Sequence, residues 1–308
     1  MNMTRFLRGG TAVAFFSLAA CANPLTAPLL NAAGEGNTVE VQTLLAKGAP
    51  INAAMENGHF NATPLMQAAF KGHLKTVKLL IAHGADVNQR ASGKKGFTPL
   101  IAASMYNHLR IVHYLVRHGA DINEAALNGG TPLMVAAVND HLNLSVYYLA
   151  HGANVNARDT AGQTILFNST NNNLPRIVNL LLRNGADPNI PTKSDGGTPL
   201  NYAAQKGYLD VAALLLQHGA LVNHPTKWGA TPLYLAALKG HLEMVKFLLD
   251  HGAAINQPIN SGPTPYMVAK KQGFQNVADY LLSRGASTNP GNGAGGGLLG
   301  NGGYGFGN

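Results

Sequence analysis

The chain has 308 residues, 46% hydrophobic and 12% charged, with 22 Lys+Arg against 14 Asp+Glu and a formal charge of +8. That apolar content is enough to bury a core, and a single cysteine leaves no intramolecular disulfide. The basic residues are scattered along the sequence and form no dense stripe interleaved with aromatics, which argues against nucleic-acid binding.

The N-terminal segment reads as a targeting signal. Arg5 and Arg8 form a short positive region, and Thr11 to Ala20 is an apolar run ending in small residues. The run falls short of the roughly 20 residues a membrane-spanning helix needs and has the build of a secretory signal. Leu18-Ala19-Ala20-Cys21 resembles the lipobox of bacterial lipoproteins, in which the cysteine becomes the first mature residue and its sulfur carries a diacylglycerol. The resemblance implies a signal peptide over 1–20, lipidation at Cys21 and a lipidated tether over 21–26. It also implies membrane attachment in the bacterial cell envelope. Ala22 stands where an aspartate would often mark inner-membrane retention, which favours the periplasmic face of the outer membrane. The competing reading is an ordinary signal peptide cut after Ala22, with Cys21 incidental. Ala22 to Thr26 would reach under ~20 Å when extended, so the chain's first structured unit is expected close to the bilayer.

Beyond the tether the sequence repeats itself. Thr63, Thr98, Thr131, Thr164, Thr198, Thr231 and Thr264 each open a unit, at spacings of 35, 33, 33, 34, 33 and 33 residues. A degenerate unit precedes them at Ala27-Pro28-Leu29. Each unit closes on a second signature, such as Gly84-Ala85-Asp86-Val87-Asn88 or Gly252-Ala253-Ala254-Ile255-Asn256, 21 residues after the threonine. Within a unit, Thr63 is a good helix N-cap and Pro64 suits the first helical turn. Ala68-Ala69 keep the first helix thin, and Leu74, Val77, Leu80 and Ile81 give a second helix one apolar face. Gly84 is expected to end it as a left-handed C-cap.

The two signatures at fixed offset resemble ankyrin repeats, over about residues 26–290. That resemblance implies an all-α solenoid of about eight helix-turn-helix units with β-turn or hairpin fingers, spanning residues 27–288. No unit can bury its apolar face alone, so neighbours must stack into one continuous core. Three departures from the family pattern stand out. The family's histidine after Thr-Pro-Leu is replaced by Met66, Ile101, Met134, Phe167, Asn201, Tyr234 and Met267; apolar packing is expected to compensate. The unit at 164–197 has Ile165 for proline, Ser169-Thr170 for the alanine pair, an Asn171-Asn172-Asn173 run and Pro175 early in its second helix, which predicts locally lower stability. The turns before Thr63 and Thr98 are lengthened. Residues 289–308, nearly all Gly and Asn, read as a disordered tail.

No catalytic or cofactor motif survives its context. Gly291-Asn292-Gly293-Ala294-Gly295-Gly296 fits G-x-G-x-x-G, but it follows no strand and opens no helix. Twelve histidines suggest metal, yet His73, His108, His141 and His241 fall in one repeat slot and His83, His118, His151, His218 and His251 in another. These are expected to be framework residues. Asp86, Asp121 and Asp187 likewise share a turn slot. A non-enzymatic protein without cofactor, metal or small-molecule substrate is expected, monomeric, with an unidentified protein partner.

The family resemblance implies that the partner meets the exposed end of each first helix and the fingers. The two positions after each alanine pair are then the candidates: Phe70 and Lys71, Met105 and Tyr106, Val138 and Asn139, Asn171 and Asn172, Gln205 and Lys206, Leu238 and Lys239. Gly34-Glu35 and Lys271-Gln272 hold the same slots in the terminal units. Lys94, Lys95 and Phe97 in a lengthened finger, and Trp228 at a finger tip, extend the surface. Inter-repeat packing is the competing reading for Phe70 and Val138, and covering of the adjacent finger for Trp228. The functional expectation is a membrane-anchored periplasmic protein-binding scaffold. An immunity lipoprotein that blocks a periplasm-acting toxin and a secreted host-targeted effector are the alternatives.

Overall fold

The computed structural model describes residues 23–54, 61–92, 96–260 and 262–289. The expected signal segment with Cys21, the finger lysines Lys94 and Lys95, and the tail from 290 onward lie outside the described residues. Sixteen helices among the described residues form eight consecutive pairs: α1 (Thr26–Glu35) and α2 (Thr38–Ala46), α3 (Pro64–Lys71) and α4 (Leu74–Ala82), α5 (Pro99–Met105) and α6 (Leu109–Arg117), α7 (Pro132–Val138) and α8 (Leu142–Ala150). There follow α9 (Ile165–Asn171) and α10 (Pro175–Arg183), α11 (Pro199–Lys206) and α12 (Leu209–Gln217), α13 (Pro232–Leu238) and α14 (Leu242–Asp250), α15 (Pro265–Lys271) and α16 (Gln275–Ser283). The first helix begins at Thr26, so the last residue of the expected tether is already helical. None of these helices is long and apolar enough to cross a membrane.

Local chemistry sets the pairs. Thr63 Oγ1 accepts from the Met66 backbone N–H at 3.3 Å, and the same cap recurs at Thr98, Thr131, Thr164, Thr231 and Thr264. Gly84 closes α4 at φ 87°, as its place in the repeat predicts. Val77 and Leu80 are fully buried with Leu74 and Ile81 packed on the edge of the same core. The alanine pairs, buried between units, let neighbouring first helices pack closely against one another. A single apolar core runs from Leu29 to Ala286 through all eight units.

Compensation for the missing histidine is only partly apolar, and in this the expectation is corrected. Met66, Ile101, Met134, Phe167 and Tyr234 are buried, but Asn201 is polar. Its Nδ2 donates to His224 O at 3.0 Å and Ala230 O at 3.3 Å, while its Oδ1 accepts from the Thr198 N–H at 2.9 Å. Two further polar ladders tie unit to unit. His73 Nε2 donates to Gly34 O of the preceding unit at 3.0 Å, and His108, His141 and His241 do the same to Phe70, Met105 and Gln205. Because a carbonyl can only accept, Nε2 is the donor in each of these bonds. The signature asparagines form the second ladder. Asn88 Oδ1 accepts from Asp121 N–H at 2.9 Å and its Nδ2 donates to Gly119 O at 2.9 Å. Asn123, Asn156, Asn189 and Asn223 repeat the pattern. The other histidine slot works locally: His83, His118, His151, His218 and His251 each bond through Nδ1 to the carbonyl four residues earlier. Nine histidines are thus spent on the framework.

The unit at 164–197 is better accommodated than its sequence suggests. Thr164 still caps Phe167 N–H at 3.1 Å without the proline. Asn173 takes the left-handed slot at φ 52° that Asn107 and Asp140 fill in other units, a conformation asparagine tolerates. Pro175 is the first residue of α10, where its missing N–H is harmless. What is left is the Ser169-Thr170 pair, fully buried with neither hydroxyl partnered among the described residues.

The array also ends in a recognisable way. The second alanine slot is occupied by Ala33, Ala69, Ser104, Ala137, Thr170, Ala204 and Ala237, all fully buried. In the last unit it holds Lys270, which is exposed. A lysine there gives the stack a polar outer face at its C-terminal end.

Candidate functional site

The fingers are short turns that project from between the pairs. Ala126 N–H donates to Gly130 O at 3.0 Å and Gly129 N–H to Ala126 O at 2.8 Å, closing one tip; Thr226 to Ala230 and Ile259 to Pro263 close others alike. Adjacent fingers zip together, through Thr160 N–H to Asn128 O at 2.9 Å, Lys227 N–H to Asp195 O at 2.8 Å and Asn260 N–H to Trp228 O at 2.9 Å. Fingers and the ends of the first helices therefore make one connected face.

Along that face the candidate residues separate into groups. Phe70 is half-buried and meets Tyr106 edge-on, with ring centroids 4.7 Å apart and planes at 79°. The Lys71 ammonium lies 5.7 Å from the Phe70 centroid. Tyr106 is 42% exposed and Trp228 is 54% exposed. Val138 and Leu238 are half-buried and packed on the rim of the main core, so they offer an edge and not a whole side chain. Lys71, Asn171, Asn172, Lys206 and Lys239 are exposed. Asn139 is exposed but turns its Nδ2 back to Val135 O at 2.8 Å, and Gln205 is half-buried.

Phe97 requires correction. Its carbonyl accepts from Ala91 N–H at 2.8 Å, which places it at the base of the lengthened finger, just before the Thr98 cap. There it is 5% exposed and packs with Ile101, Ala126 and Val135, with Met105 against the cluster. A side chain so enclosed supports the finger from beneath and is not displayed to a partner. Leu127, 58% exposed at a finger tip, was not among the candidates. Its tip position, two residues before Gly129 in the repeat register, was the signal that could have found it.

A polar centre between the fifth and sixth units was likewise missed. Asp195 Oδ1 accepts from Thr192 Oγ1 at 2.5 Å and Gly197 N–H at 3.1 Å, and Asp195 Oδ2 from the Tyr202 hydroxyl at 2.8 Å. The Tyr202 ring packs edge-on against Phe167, 4.6 Å away. Burial alone would raise the Asp195 pKa, but the hydrogen bonds from Thr192, Tyr202 and Gly197 outweigh it and hold the carboxyl below its ordinary value. Burial first, and then the bond and charge of Asp195, push the Tyr202 phenol well above its usual range. The cluster bolts a finger to α11. A carboxyl depressed in the fold stabilises it fully above its ordinary pKa, and that contribution is lost as the pH falls through the folded value. Asp195→Asn is therefore expected to lower the melting temperature at pH 7, with the deficit shrinking below about pH 4. Equal deficits in thermal melts at pH 7 and pH 3 would refute this role.

Residues 10–91, 29–126, 89–159, 134–226 and 220–292 each match the family model described as Ankyrin repeats (3 copies). Among curated proteins nothing matches the chain. The matched segments overlap from residue 10 to residue 292, and the threonine caps, stacked helix pairs and zipped fingers are their physical counterpart, so the chain belongs to the ankyrin-repeat family.

Proposed function

We propose that this protein is a membrane-anchored periplasmic scaffold that holds a protein partner against its first helices and fingers. An ankyrin array is a protein-interaction fold, and the observation that carries the finer reading is the Phe70–Tyr106 pair. Two aromatic rings from adjacent units meet on the first-helix face, and Tyr106 keeps 42% of its surface exposed. An aromatic presented amid polar neighbours such as Lys71 and Asn107 is how interface hot spots are built. The anchor rests on Arg5, Arg8, the apolar run to Ala20 and the lipobox ending at Cys21. With α1 beginning at Thr26, a lipid on Cys21 would hold the first unit within a few residues of the bilayer, while later units reach away from it. Two lipid chains suffice for stable attachment.

The test is affinity capture from membranes with the wild type and a Phe70→Ala/Tyr106→Ala/Leu238→Ala variant, alongside metabolic labelling with a lipid precursor. A partner lost from the variant and a label lost in Cys21→Ser are the expected results. An unchanged set of captured proteins would overturn the binding face, and label retained in Cys21→Ser would overturn the anchor.

A further inference from the structure

The lysines that look scattered in the sequence converge on one side of the C-terminal half. Between residues 188 and 274 the chain has seven lysines and four acidic residues. Five of those lysines, Lys193, Lys206, Lys227, Lys239 and Lys271, lie in fingers or at the ends of first helices, and all five are exposed, while Lys270 faces the C-terminal end of the stack. Three of the four acids, Asp210, Glu243 and Asp250, are on the second helices α12 and α14. The fourth, Asp195, has its oxygens taken up by Thr192, Gly197 and Tyr202.

Ion pairing follows the same division. Glu243 pairs with Lys246 and Asp250 with Arg284, all on second helices or their caps. None of these five lysines forms an ion pair among the described residues. Lys227 donates to two carbonyls of the neighbouring finger, Lys193 O at 2.5 Å and Ser194 O at 2.9 Å. Those bonds fix its position without forming an ion pair. Lys206 and Lys239 occupy one slot in consecutive units, as do Lys193 and Lys227, so each pair is roughly 10 Å apart, the spacing of packed helices. Like charges at that distance repel across about one Debye length, so the lysine rows carry an electrostatic cost to the fold.

We infer that this basic half-face binds an acidic, extended segment of a partner protein, an inference that rests on the protein-binding reading above. Charge complementarity selects the sign. An extended chain rises about 3.3 Å per residue, so every third residue meets a new unit, and acidic side chains at that interval match the lysine rows. Leu238 and Trp228 lie among the lysines and would take apolar side chains between the acidic ones. An anionic bilayer would offer the same sign of charge, and the vesicle probe distinguishes it. Single-stranded nucleic acid would need a repeated aromatic platform, and none runs along these slots.

The experiment measures anisotropy of a fluorescein-labelled peptide of four Glu-Gly-Leu repeats against the full chain in detergent, at about 50 mM salt. A Lys-Gly-Leu peptide and phosphatidylglycerol vesicles are the competing probes. The acidic peptide is expected to bind, to weaken with added salt, and to lose at least about tenfold in affinity with Lys206→Glu/Lys239→Glu. Lys75→Glu/Lys78→Glu, exposed on α4, is expected to leave it unchanged. Circular dichroism of both variants separates lost binding from lost folding. Failure of the acidic peptide to bind, equal effects of the two variants, or binding to vesicles alone would each overturn the inference. Capture of a partner that depends on Phe70 and Tyr106 would then still stand, so the two readings fail separately.

Discussion

Replacing both Ser169 and Thr170 with alanine is expected to stabilise the protein by about 1–5 kcal/mol. Both side chains are fully buried, and neither hydroxyl has a partner among the described residues. An unsatisfied buried hydroxyl costs about 1–3 kcal/mol, while the methyl lost from Thr170 returns roughly 0.8 kcal/mol of that gain. The repeat provides its own control. Ser104 holds the slot of Thr170 two units earlier, but its Oγ donates to Leu100 O at 2.7 Å and hydrogen-bonds the hydroxyl of the fully buried Tyr148. The position in register with Tyr148 beyond Thr170 is Leu215, which offers no hydroxyl. Ser104→Ala is therefore expected to act in the opposite direction, since it strands the Tyr148 phenol. In a stack where each unit touches only its neighbours, a weak unit also divides the array into two cooperative blocks. Urea unfolding of the wild type should show a broad or two-step transition that sharpens in the alanine double variant. A double variant less stable than the wild type would show that these hydroxyls are satisfied in solution.

Gly129→Ala should be among the most damaging single-methyl changes in the chain, at about 2–5 kcal/mol. Gly129 has φ 79°, and a Cβ there would lie 2.7 Å from Asp159 Cα and 2.8 Å from Thr160 N. Both are backbone atoms of the next finger, so no side chain can swing aside. The left-handed conformation costs about 1–2 kcal/mol for alanine, and overpacking typically adds 1–3 kcal/mol. The Thr160 N–H bond to Asn128 O, which zips the two fingers, cannot survive the displacement. Gly84→Ala separates the two costs: φ is 87°, and nothing lies within 4 Å of the added methyl. It is expected to lose only the conformational part. Thermal melts of the two variants side by side decide the matter, and equal losses would mean that the fingers are not in rigid contact.

The comparison of sequence with structure divides along a physical line. The Thr-Pro openings, the left-handed glycine and the His83 slot were legible because each does its work within a turn or two of helix, whereas the alanine pairs and the His73 slot act between units and were legible only through their recurrence. The period of about 33 residues then copied those local events along the chain. The candidate surface was legible only as a set of slots. Tyr106, Lys206 and Lys239 are exposed where the register puts them, whereas Phe97 sits in the same kind of finger yet is buried beneath it. The difference lies in a backbone bond to Ala91 and in the company of Val135 from the following unit.

By itself, then, the sequence determined the fold, its register and the framework role of most histidines, because an unbroken repeat of caps and apolar faces permits one stacking solution. Tertiary structure alone decided which groups distant in sequence satisfy one another: Ser104 with Tyr148, Asn201 with the finger of its own unit, Asp195 with Tyr202. It also decided that lysines distant in sequence share one face of the C-terminal half, while Glu243 and Asp250 pair on the second helices and their caps. Such pairings depend on the packing of one unit against the next, a geometry set by the volume of the side chains between them and written at no single position.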